Sequence, residues 1–258
     1  MGKQAEAYMW NSPRLLNVAS NALFTLAFAL VAYGGTRLLV HSSVFLLSTI
    51  RVQGELRHVT RDDVVNALQG RVSGTFFSVE LETIRALFEG IPWVRRAEVR
   101  RLWPDRIEVR VEEHVALARW GQGQDGRLVN TYGELFSGRT DAQMPLFSGP
   151  AGSEGEVTHR YRVFRQQLAP LQLDPQQVLL SSRYAWQLKL SNGLVVQLGR
   201  DSDKDGIADR LARFVSVYAP TLGKLPHRFD YVDLRYPNGF ALRAPELLKS
   251  EPRKQRRA

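Results

Sequence analysis

The chain has 258 residues, no cysteine and a formal net charge of +9. The lack of cysteine excludes a disulfide framework, thiol catalysis and a cysteine-ligated zinc site. The basic residues are spread along the sequence, and their one dense cluster, at 249–257, contains no aromatic residue, so no nucleic-acid site is expected.

The first element is an apolar segment near the N-terminus. Leu15 to Thr36 are 22 residues without a formal charge, and an apolar helix of roughly 20 residues spans a bilayer core of about 30 Å. The segment is longer than the apolar core of a signal peptide and has no clear small-x-small cleavage site, so an uncleaved anchor is favoured over a cleaved leader. Basic residues flank it on both sides: Lys3 and Arg14 before it, and Arg37, Arg51 and Arg57 after it. Charge alone therefore leaves the orientation open.

A first compact unit follows, beginning with a strand at Leu46–Val52 that Gly54 ends. Thr60 is placed to cap a helix whose first turn is acidic. This helix is predicted to bury Val64, Val65, Ala67 and Leu68. A second helix, about Glu80 to Glu89, is predicted to bury Leu81, Ile84, Leu87 and Phe88 and to stop at Gly90.

Residues 91–113 predict two antiparallel strands joined by a turn at Trp103-Pro104-Asp105. In the second strand, apolar residues at 107, 109 and 111 alternate with charged residues at 108, 110 and 112, which indicates one buried face and one solvated face. The order of the unit is therefore β-α-α-β-β, with both helices expected on the apolar face of a three-stranded sheet.

The second unit mixes hairpins and two amphipathic helices. Short strands are predicted at 126–130 and 133–136, and a clearer hairpin at 186–190 and 194–198 turns at Asn192-Gly193. Helices are predicted around 157–168, ended by Pro170, and around 207–218, ended by Pro220. The unit closes with strands Phe229–Tyr236 and Phe240–Arg243, so the fold class is α+β behind one membrane helix.

Several short sequence motifs, taken together, resemble those of one protein family. Those of the first unit and the junction are Ile91-Pro92-Trp93-Val94, Arg101-Leu102-Trp103-Pro104-Asp105, Glu112-Glu113-His114 and Ala118-Arg119-Trp120. Those of the second unit are Leu198-Gly199-Arg200, Arg210-Leu211-Ala212-Arg213-Phe214 and Tyr231-Val232-Asp233-Leu234-Arg235-Tyr236. In order and spacing the chain resembles the FtsQ/DivIB family of bacterial cell-division proteins over nearly its whole length.

The resemblance implies a domain organisation and a location. The implied domains are a cytoplasmic segment at 1–17, a transmembrane helix at 18–40, a POTRA domain at 45–114, a β domain at 115–248 and a basic disordered tail at 249–258. The protein would be a single-pass inner-membrane protein at the division septum, with its N-terminus in the cytoplasm and both domains in the periplasm.

The implied function is that of a scaffold without enzymatic activity or cofactor. It would bind FtsB and FtsL, would contact other membrane proteins of the division machinery, and would link early division proteins to septal peptidoglycan synthesis. The implied FtsB site is the closing edge of the β domain: Arg200, Arg235, Tyr236, Asn238, Gly239, Phe240 and Leu242. An exposed strand edge can accept a partner strand by backbone pairing.

The resemblance also implies a recruitment surface on the POTRA domain, formed by Arg96, Val99 and Arg101. An ordinary solvated strand face would produce the same residues. The chain also departs from the family, because it lacks an aromatic residue that often follows the final turn and strand. Phe240 could replace that residue from another face of the sheet.

Other functions find less support in the residues. Asp201, Asp203, Asp205 and Asp209 match the start of a calcium loop, but the twelfth position is Ala212, so the bidentate carboxylate is missing and the metal site is a weak candidate. No nucleophile, phosphate loop or histidine spacing indicates an enzyme. An outer-membrane barrel assembly factor would need many more strands. A periplasmic peptidoglycan-binding or envelope-assembly protein stays open as an alternative.

Overall fold

A computed structural model describes residues 13–40, 47, 49–121, 126–202, 205–218, 220, 229–236 and 239–244. The chain divides into two compact units, Met1–Glu113 and His114–Ala258. Predictions for the start of the N-terminal segment (1–12), for the beginning of the first strand (46) and for the basic tail (249–258) lie outside the described residues.

The N-terminal helix, α1, runs over Pro13–Val40. Within it, Leu16–Leu38 is a 23-residue stretch of mean hydropathy 1.6, none of it buried against the rest of the chain, and it is long and apolar enough to cross a membrane. The Thr25 hydroxyl donates to the Asn21 carbonyl oxygen at 2.8 Å, so this polar group inside the apolar stretch is satisfied within the helix.

The rest of the first unit has the predicted β-α-α-β-β order. Its elements are β1 (Thr49–Gln53), α2 (Arg61–Leu68), α3 (Leu81–Glu89), β2 (Val94–Leu102) and β3 (Arg106–Glu113). The three strands form one sheet in the order β1-β3-β2, with β1 parallel and β2 antiparallel to β3. Both β1 and β2 are therefore edge strands.

The core of this sheet lies under α3. Ile107 and Val109 of β3 are fully buried, as are Ile84 and Phe88 of α3, which packs on β2. The prediction for α2 is wrong: none of its residues is buried, and Val65 is 48% exposed. This short helix packs mainly on α3, so its apolar side chains are covered only in part. Its predicted cap is confirmed, because Thr60 and Asp63 form a capping box.

A buried carboxylate holds the segment that leads into α2. The Glu113 side chain, 7% exposed, accepts hydrogen bonds from the backbone N–H groups of Arg57, His58 and Val59 at 2.8–3.2 Å. Burial alone would raise the pKa of Glu113, but these donors outweigh it and hold the pKa below its ordinary value. The His58 ring stacks on Trp93, with ring centroids 3.7 Å apart.

In its described part, the second unit contains nine strands and two α-helices. Its strands are β4 (Ala116–Trp120), β5 (Arg127–Asn130), β6 (Leu135–Ser137), β7 (Leu146–Ser148), β8 (Pro175–Leu180), β9 (Ala185–Leu190), β10 (Val195–Arg200), β11 (Tyr231–Asp233) and β12 (Ala241–Arg243). The helices are α4 (Glu154–Leu168) and α5 (Ile207–Tyr218), and a 3₁₀ turn (Ala169–Leu171) follows α4. The strands form one sheet in the order β12-β11-β10-β9-β8-β7-β4-β5-β6.

Strand register aligns an apolar row across this sheet. Phe147, Val178, Leu188, Val196 and Val232 lie side by side on neighbouring strands and are each at most 1% exposed. The helices α4 and α5 pack on β8 and β10 and on each other. Phe164 of α4 meets Trp186 edge-on, with ring centroids 5.7 Å apart. This row and the two helices form the core.

The fold class and both hairpin predictions are confirmed, but several strand bounds are corrected. The predicted strands Phe229–Tyr236 and Phe240–Arg243 shorten to β11 and β12, and the first strand is shifted to β1. The sequence patterns did not predict β4, β7 or β8. β7 has three residues, and β4 and β8 each contain a register shift. β7 also pairs in parallel with strands distant in sequence, so no local turn signal marks it.

Candidate functional site

The candidate site lies where the nine-stranded sheet ends. β12 pairs antiparallel with β11, and in the described part of the chain no strand covers its other edge. Its three residues, Ala241, Leu242 and Arg243, are all exposed. A strand with an open edge presents unpaired backbone N–H and C=O groups, to which a further strand can be added.

Arg235, just after β11, is fixed by its neighbour Asp233. The Arg235 guanidinium donates from Nε and Nη2 to the Asp233 carboxylate, at 2.9 and 2.6 Å for the shortest contacts. These hydrogen bonds hold the pKa of Asp233 below its ordinary value and raise that of Arg235. Asp233 is buried while Arg235 is exposed, so the pair presents a pre-oriented cation to solvent.

Arg200 comes to the same end of the sheet by a different route. It ends β10, which runs parallel to β11, so the residues after both strands emerge on one side. Arg200 is exposed, and among the described residues its guanidinium has no ion-pair or hydrogen-bond partner. The backbone at Arg200 is fixed by α5, because the Arg210 guanidinium donates to the carbonyl oxygens of Leu198 and Arg200 at 2.6 and 2.9 Å.

The turn residues between β11 and β12 are described in part. Tyr236 is 55% exposed beside Arg235. Among the described residues, no heavy atom lies within 4 Å of the position that a Cβ atom on Gly239 would take. Asn238 lies outside the described residues. The structure thus brings Arg200, Arg235 and Tyr236 to the end of the sheet from which β12 begins.

Unlike the exposed Tyr236, Phe240 points toward the core of the unit. It is half-buried and packs against the core, meeting Phe214 of α5 edge-on with centroids 6.3 Å apart. Leu242, two residues on, lies on the same face of β12 and is 37% exposed. A groove of about 400 Å³ runs between α5 and this turn. Its described lining is Arg210, Arg213, Ser216, Val217, Leu234, Gly239 and Phe240. Phe240 therefore anchors the turn and lines the groove at once.

The three POTRA residues do not share one face. Side chains alternate along β2, so Val99 and Arg101 lie with buried Ala97 on the helix side, whereas Arg96 lies on the opposite, charged side. Val99 is half-buried. The Arg101 guanidinium donates to the carbonyl oxygens of Phe76 and Val79 at 2.9 and 2.7 Å, so it also fixes the loop before α3.

The acidic loop after β10 is occupied by contacts within the protein. The Asp201 carboxylate accepts from the backbone N–H of Ile207 at 3.1 Å and pairs with Arg160. The Asp205 carboxylate pairs with Arg210 and Arg213 at 2.8 and 3.0 Å. Asp203 lies outside the described residues. Among the residues described, no cluster of acidic or histidine side chains is placed to hold a metal ion.

Three residues of the site were quoted from the sequence within the family motifs but were given no role at the site. Asp233 clamps Arg235, Arg210 holds the end of β10, and Gly199 lets the Arg235 side chain cross the backbone closely. Asp233 could have been found, because residues two apart in a strand share a face. Gly199 could also have been found, since a glycine inside a strand pattern often marks a close approach.

Comparisons with known proteins match both units. Residues 118–235 match the family described as "Cell division protein FtsQ/DivIB, C-terminal", and residues 45–114 match "POTRA domain, FtsQ-type". The first match ends at Arg235, so Tyr236 and β12 lie beyond it.

Relatives extend the likeness to most of the chain. Cell division protein FtsQ of Burkholderia pseudomallei is 44% identical over 239 residues, which cover 92% of this chain and 94% of that protein. Cell division protein FtsQ of Nitrosospira multiformis is 41% identical over 91% of this chain and 99% of its own length. Cell division protein FtsQ of Escherichia coli is 36% identical over 76% and 72%.

Proposed function

The chain belongs to the FtsQ/DivIB family of cell division proteins, and from this premise we propose that it is a non-enzymatic scaffold that binds FtsB and FtsL through the edge of its nine-stranded sheet. One helix able to span a bilayer fits a single-pass inner-membrane protein of the division machinery. We further propose that its N-terminus is cytoplasmic, that the POTRA domain (45–114) and β domain (115–248) are periplasmic, and that it works at the septum.

The observation that carries the proposal is the open edge of β12. Strand addition needs an exposed backbone edge, and β12 supplies one that is exposed along its whole length. Side chains around the edge then set specificity: the cations of Arg200 and Arg235 favour an acidic partner segment, and Tyr236 offers an exposed aromatic surface. Tyrosine and arginine are the residue types that dominate binding energy at interfaces.

The groove beside α5 supports a second contact. A strand added to β12 would place alternate side chains on the face that carries Phe240 and Leu242. There the groove of about 400 Å³ is lined by apolar Val217, Leu234 and Phe240. An apolar partner residue at such a position would be removed from water, which strengthens the attachment.

We also propose that Arg96, Val99 and Arg101 recruit further division proteins. These side chains lie on two faces of β2, but one partner could still contact all of them because β2 is an edge strand of its sheet. A partner reaching that edge can touch side chains on both faces. Arg96 is the most accessible of the three contacts, since Arg101 is bonded to the neighbouring loop and Val99 is half-buried.

The test is binding of the full chain, reconstituted in lipid nanodiscs, to the periplasmic segments of FtsB and FtsL. Tyr236→Ala should weaken binding by about 2 kcal/mol, as expected of an interface hot spot. Tyr184→Ala is the matched control, because Tyr184 is 58% exposed in the same unit but lies in the turn between β8 and β9. Its affinity should equal that of the unmodified chain.

Hydrogen–deuterium exchange in the same complex tests the mode of binding. The backbone amides of β12 should become protected when the partner segments bind, whereas those of β6 at the opposite edge of the sheet should not. Binding without protection of β12 would refute strand addition. No binding by any form would refute the partner assignment as a whole.

A further inference from the structure

The end of the POTRA sheet at the turn between β2 and β3 is both apolar and basic. Between residues 49 and 113 four large apolar side chains are exposed, and three of them are Phe77, Leu102 and Trp103. Trp103 is 76% exposed, at the tip of the turn between β2 and β3. An exposed tryptophan at such a tip is unusual for a surface that meets only water.

The three apolar side chains are held at the same end by strand pairing and by one arginine. Leu102 pairs with Arg106 across the turn that contains Trp103. Arg101, next to Leu102, donates to the carbonyl oxygens of Phe76 and Val79, which tethers the loop containing Phe77 to the end of β2. The set is therefore a fixed part of the domain surface.

Basic residues surround this set. Arg51, Arg100, Arg101 and Arg106 lie close to the ends of the three strands on this side of the sheet. Two carboxylates oppose them: Glu108 pairs with Arg100, and Asp105 lies 3.7 Å from Arg106. Because four guanidinium groups face two carboxylates, the end keeps an excess of positive charge, which anionic lipid headgroups attract.

The path of the chain keeps this end within reach of the bilayer. β1 runs parallel to β3, with Thr49 opposite Arg106, so the chain enters the sheet beside the Trp103 turn. Only residues 41–48 separate α1 from β1. At about 3.3–3.6 Å per residue they cannot hold Thr49 more than roughly 30 Å from the end of α1.

We propose that Phe77, Leu102 and Trp103 enter the interfacial layer of the bilayer that α1 crosses, while Arg51, Arg100 and Arg106 contact its anionic headgroups. Tryptophan is enriched at this layer because its ring is apolar and its N–H is polar. Arginine can keep its guanidinium at the headgroups while its stem lies along apolar surface. The contact gives the POTRA domain a second attachment to the membrane and so limits its tilt.

The membrane contact involves α1 and the POTRA sheet only, so its absence would leave the proposed partner site on β12 unaffected. The absence of cysteine allows single nitroxide labels to be placed in the full chain. One label is introduced with Leu102→Cys. The control label is introduced with Glu55→Cys, because Glu55 follows β1 at the opposite end of the sheet and is fully solvated.

Both labelled chains are reconstituted in nanodiscs of phosphatidylethanolamine and phosphatidylglycerol. The label at 102 should be several-fold less accessible to a water-soluble nickel reagent, and more accessible to oxygen, than the label at 55. Equal accessibility of the two labels to nickel would overturn the proposal. Shielding of position 102 that appears only after FtsB and FtsL segments are added would also overturn it and assign the end to a protein contact.

Two further comparisons separate the roles of the side chains. Adding Trp103→Ala to the chain labelled at 102 should raise nickel accessibility, whereas Tyr184→Ala, which alters an exposed aromatic residue of the other unit, should not. Nanodiscs of phosphatidylcholine alone should reduce the shielding, because they lack anionic headgroups. Undiminished shielding in these discs would overturn the role given to the arginines.

Discussion

Gly199 lies directly beneath the side chain of Arg235: a Cβ atom at position 199 would come within 2.8 Å of Arg235 Cγ and 3.1 Å of its Cδ. Gly199 has φ of +79°, a backbone conformation that side chains disfavour. The aliphatic stem of Arg235 thus crosses β10 at the one residue that leaves room for it. The position of the guanidinium depends on this crossing as well as on Asp233.

Gly199→Ala should displace Arg235 and weaken partner binding. The matched control is Gly193→Ala, because Gly193 has φ of +88° but no neighbouring heavy atom within 4 Å of its Cβ direction. Both variants carry the backbone penalty, and only the first carries the clash. We expect both variants to lose thermal stability, Gly199→Ala the more because of the clash, and we expect a lower affinity for the FtsB and FtsL segments in Gly199→Ala alone. Equal affinities would show that Arg235 does not contribute through its position.

Asp233→Asn should reduce partner affinity nearly as much as Arg235→Ala. The amide keeps the shape of Asp233 but loses the charge that orients the guanidinium, and charge-assisted hydrogen bonds are about twice as strong as neutral ones. If the two residues act as a unit, a double-mutant cycle will show losses that do not add. The measurement is isothermal titration of the four chains. Additive losses would mean that Asp233 contributes to binding independently of Arg235.

Arg210→Lys should loosen the end of β10. A lysine cannot reproduce the three directed hydrogen bonds that Arg210 makes to Leu198, Arg200 and Asp205. We expect faster amide exchange around residue 200 and a lower partner affinity. Arg213→Lys is the control, since Arg213 contacts the same Asp205 carboxylate from an exposed position. Equal exchange in both variants would contradict the role assigned to Arg210.

Glu113→Gln should destabilise the POTRA domain, and the difference should depend on pH. The pKa of Glu113 is lower in the folded state than in the unfolded state. Its stabilisation is therefore complete above the unfolded pKa of about 4.3 and is lost as the pH falls through the folded pKa. At neutral pH we expect a loss of about 1–2 kcal/mol in local stability, measured by amide exchange at residues 57–59.

The two chains should become equally stable under strongly acidic conditions, below the folded pKa of Glu113. A difference that persists there would assign the effect to packing instead of charge. Stability is measured on the full protein, because the Glu113 carboxylate joins β3 to the segment that leads into α2.

Gly133→Ala should destabilise the β domain more than Gly152→Ala. Both glycines have positive φ, +84° and +86°. A Cβ at 133 would lie 2.7 Å from the Gly155 Cα of α4, whereas the Cβ direction at 152 is open. Overpacking against backbone costs about 1–3 kcal/mol. Urea denaturation of the two variants measures their free energies of unfolding, and amide exchange within α4 reports local loosening. Equal free energies of unfolding would show that the turn at Gly133 accommodates the added methyl group without destabilisation.

The elements that were predicted correctly have strong local signals. The helices α4 and α5 show apolar residues at helical spacing, and the hairpin of β9 and β10 carries an Asn-Gly turn. The strand β7 pairs in parallel with β4 and β8, which are distant in sequence, so no local pattern records it. The strand β8 also pairs antiparallel with the adjacent β9, but a register shift interrupts its regular alternation. The burial of α2 was wrongly predicted because its packing on α3 leaves all of its residues at least partly exposed, and spacing does not reveal how completely a face is covered.

The candidate site was predicted from family resemblance, and its supporting residues came from the structure. Neither Arg235 nor Tyr236 has a local pattern that distinguishes a binding residue from a solvated one. The parallel pairing of β10 with β11 brings Arg200 to their end of the sheet, and this pairing joins strands about 35 residues apart. Such placement follows from topology, which a single sequence does not display.

The length of β12 limits how the protein can choose its partners. A long open edge would capture almost any extended chain, and proteins commonly shorten such edges to avoid aggregation. β12 has three residues, held at its start by the packing of Phe240 on Phe214. So short an edge offers few backbone bonds, and an arbitrary strand would gain little from it. If β12 is the partner site proposed above, recognition would then come from the flanking side chains, and the edge could stay open without losing selectivity.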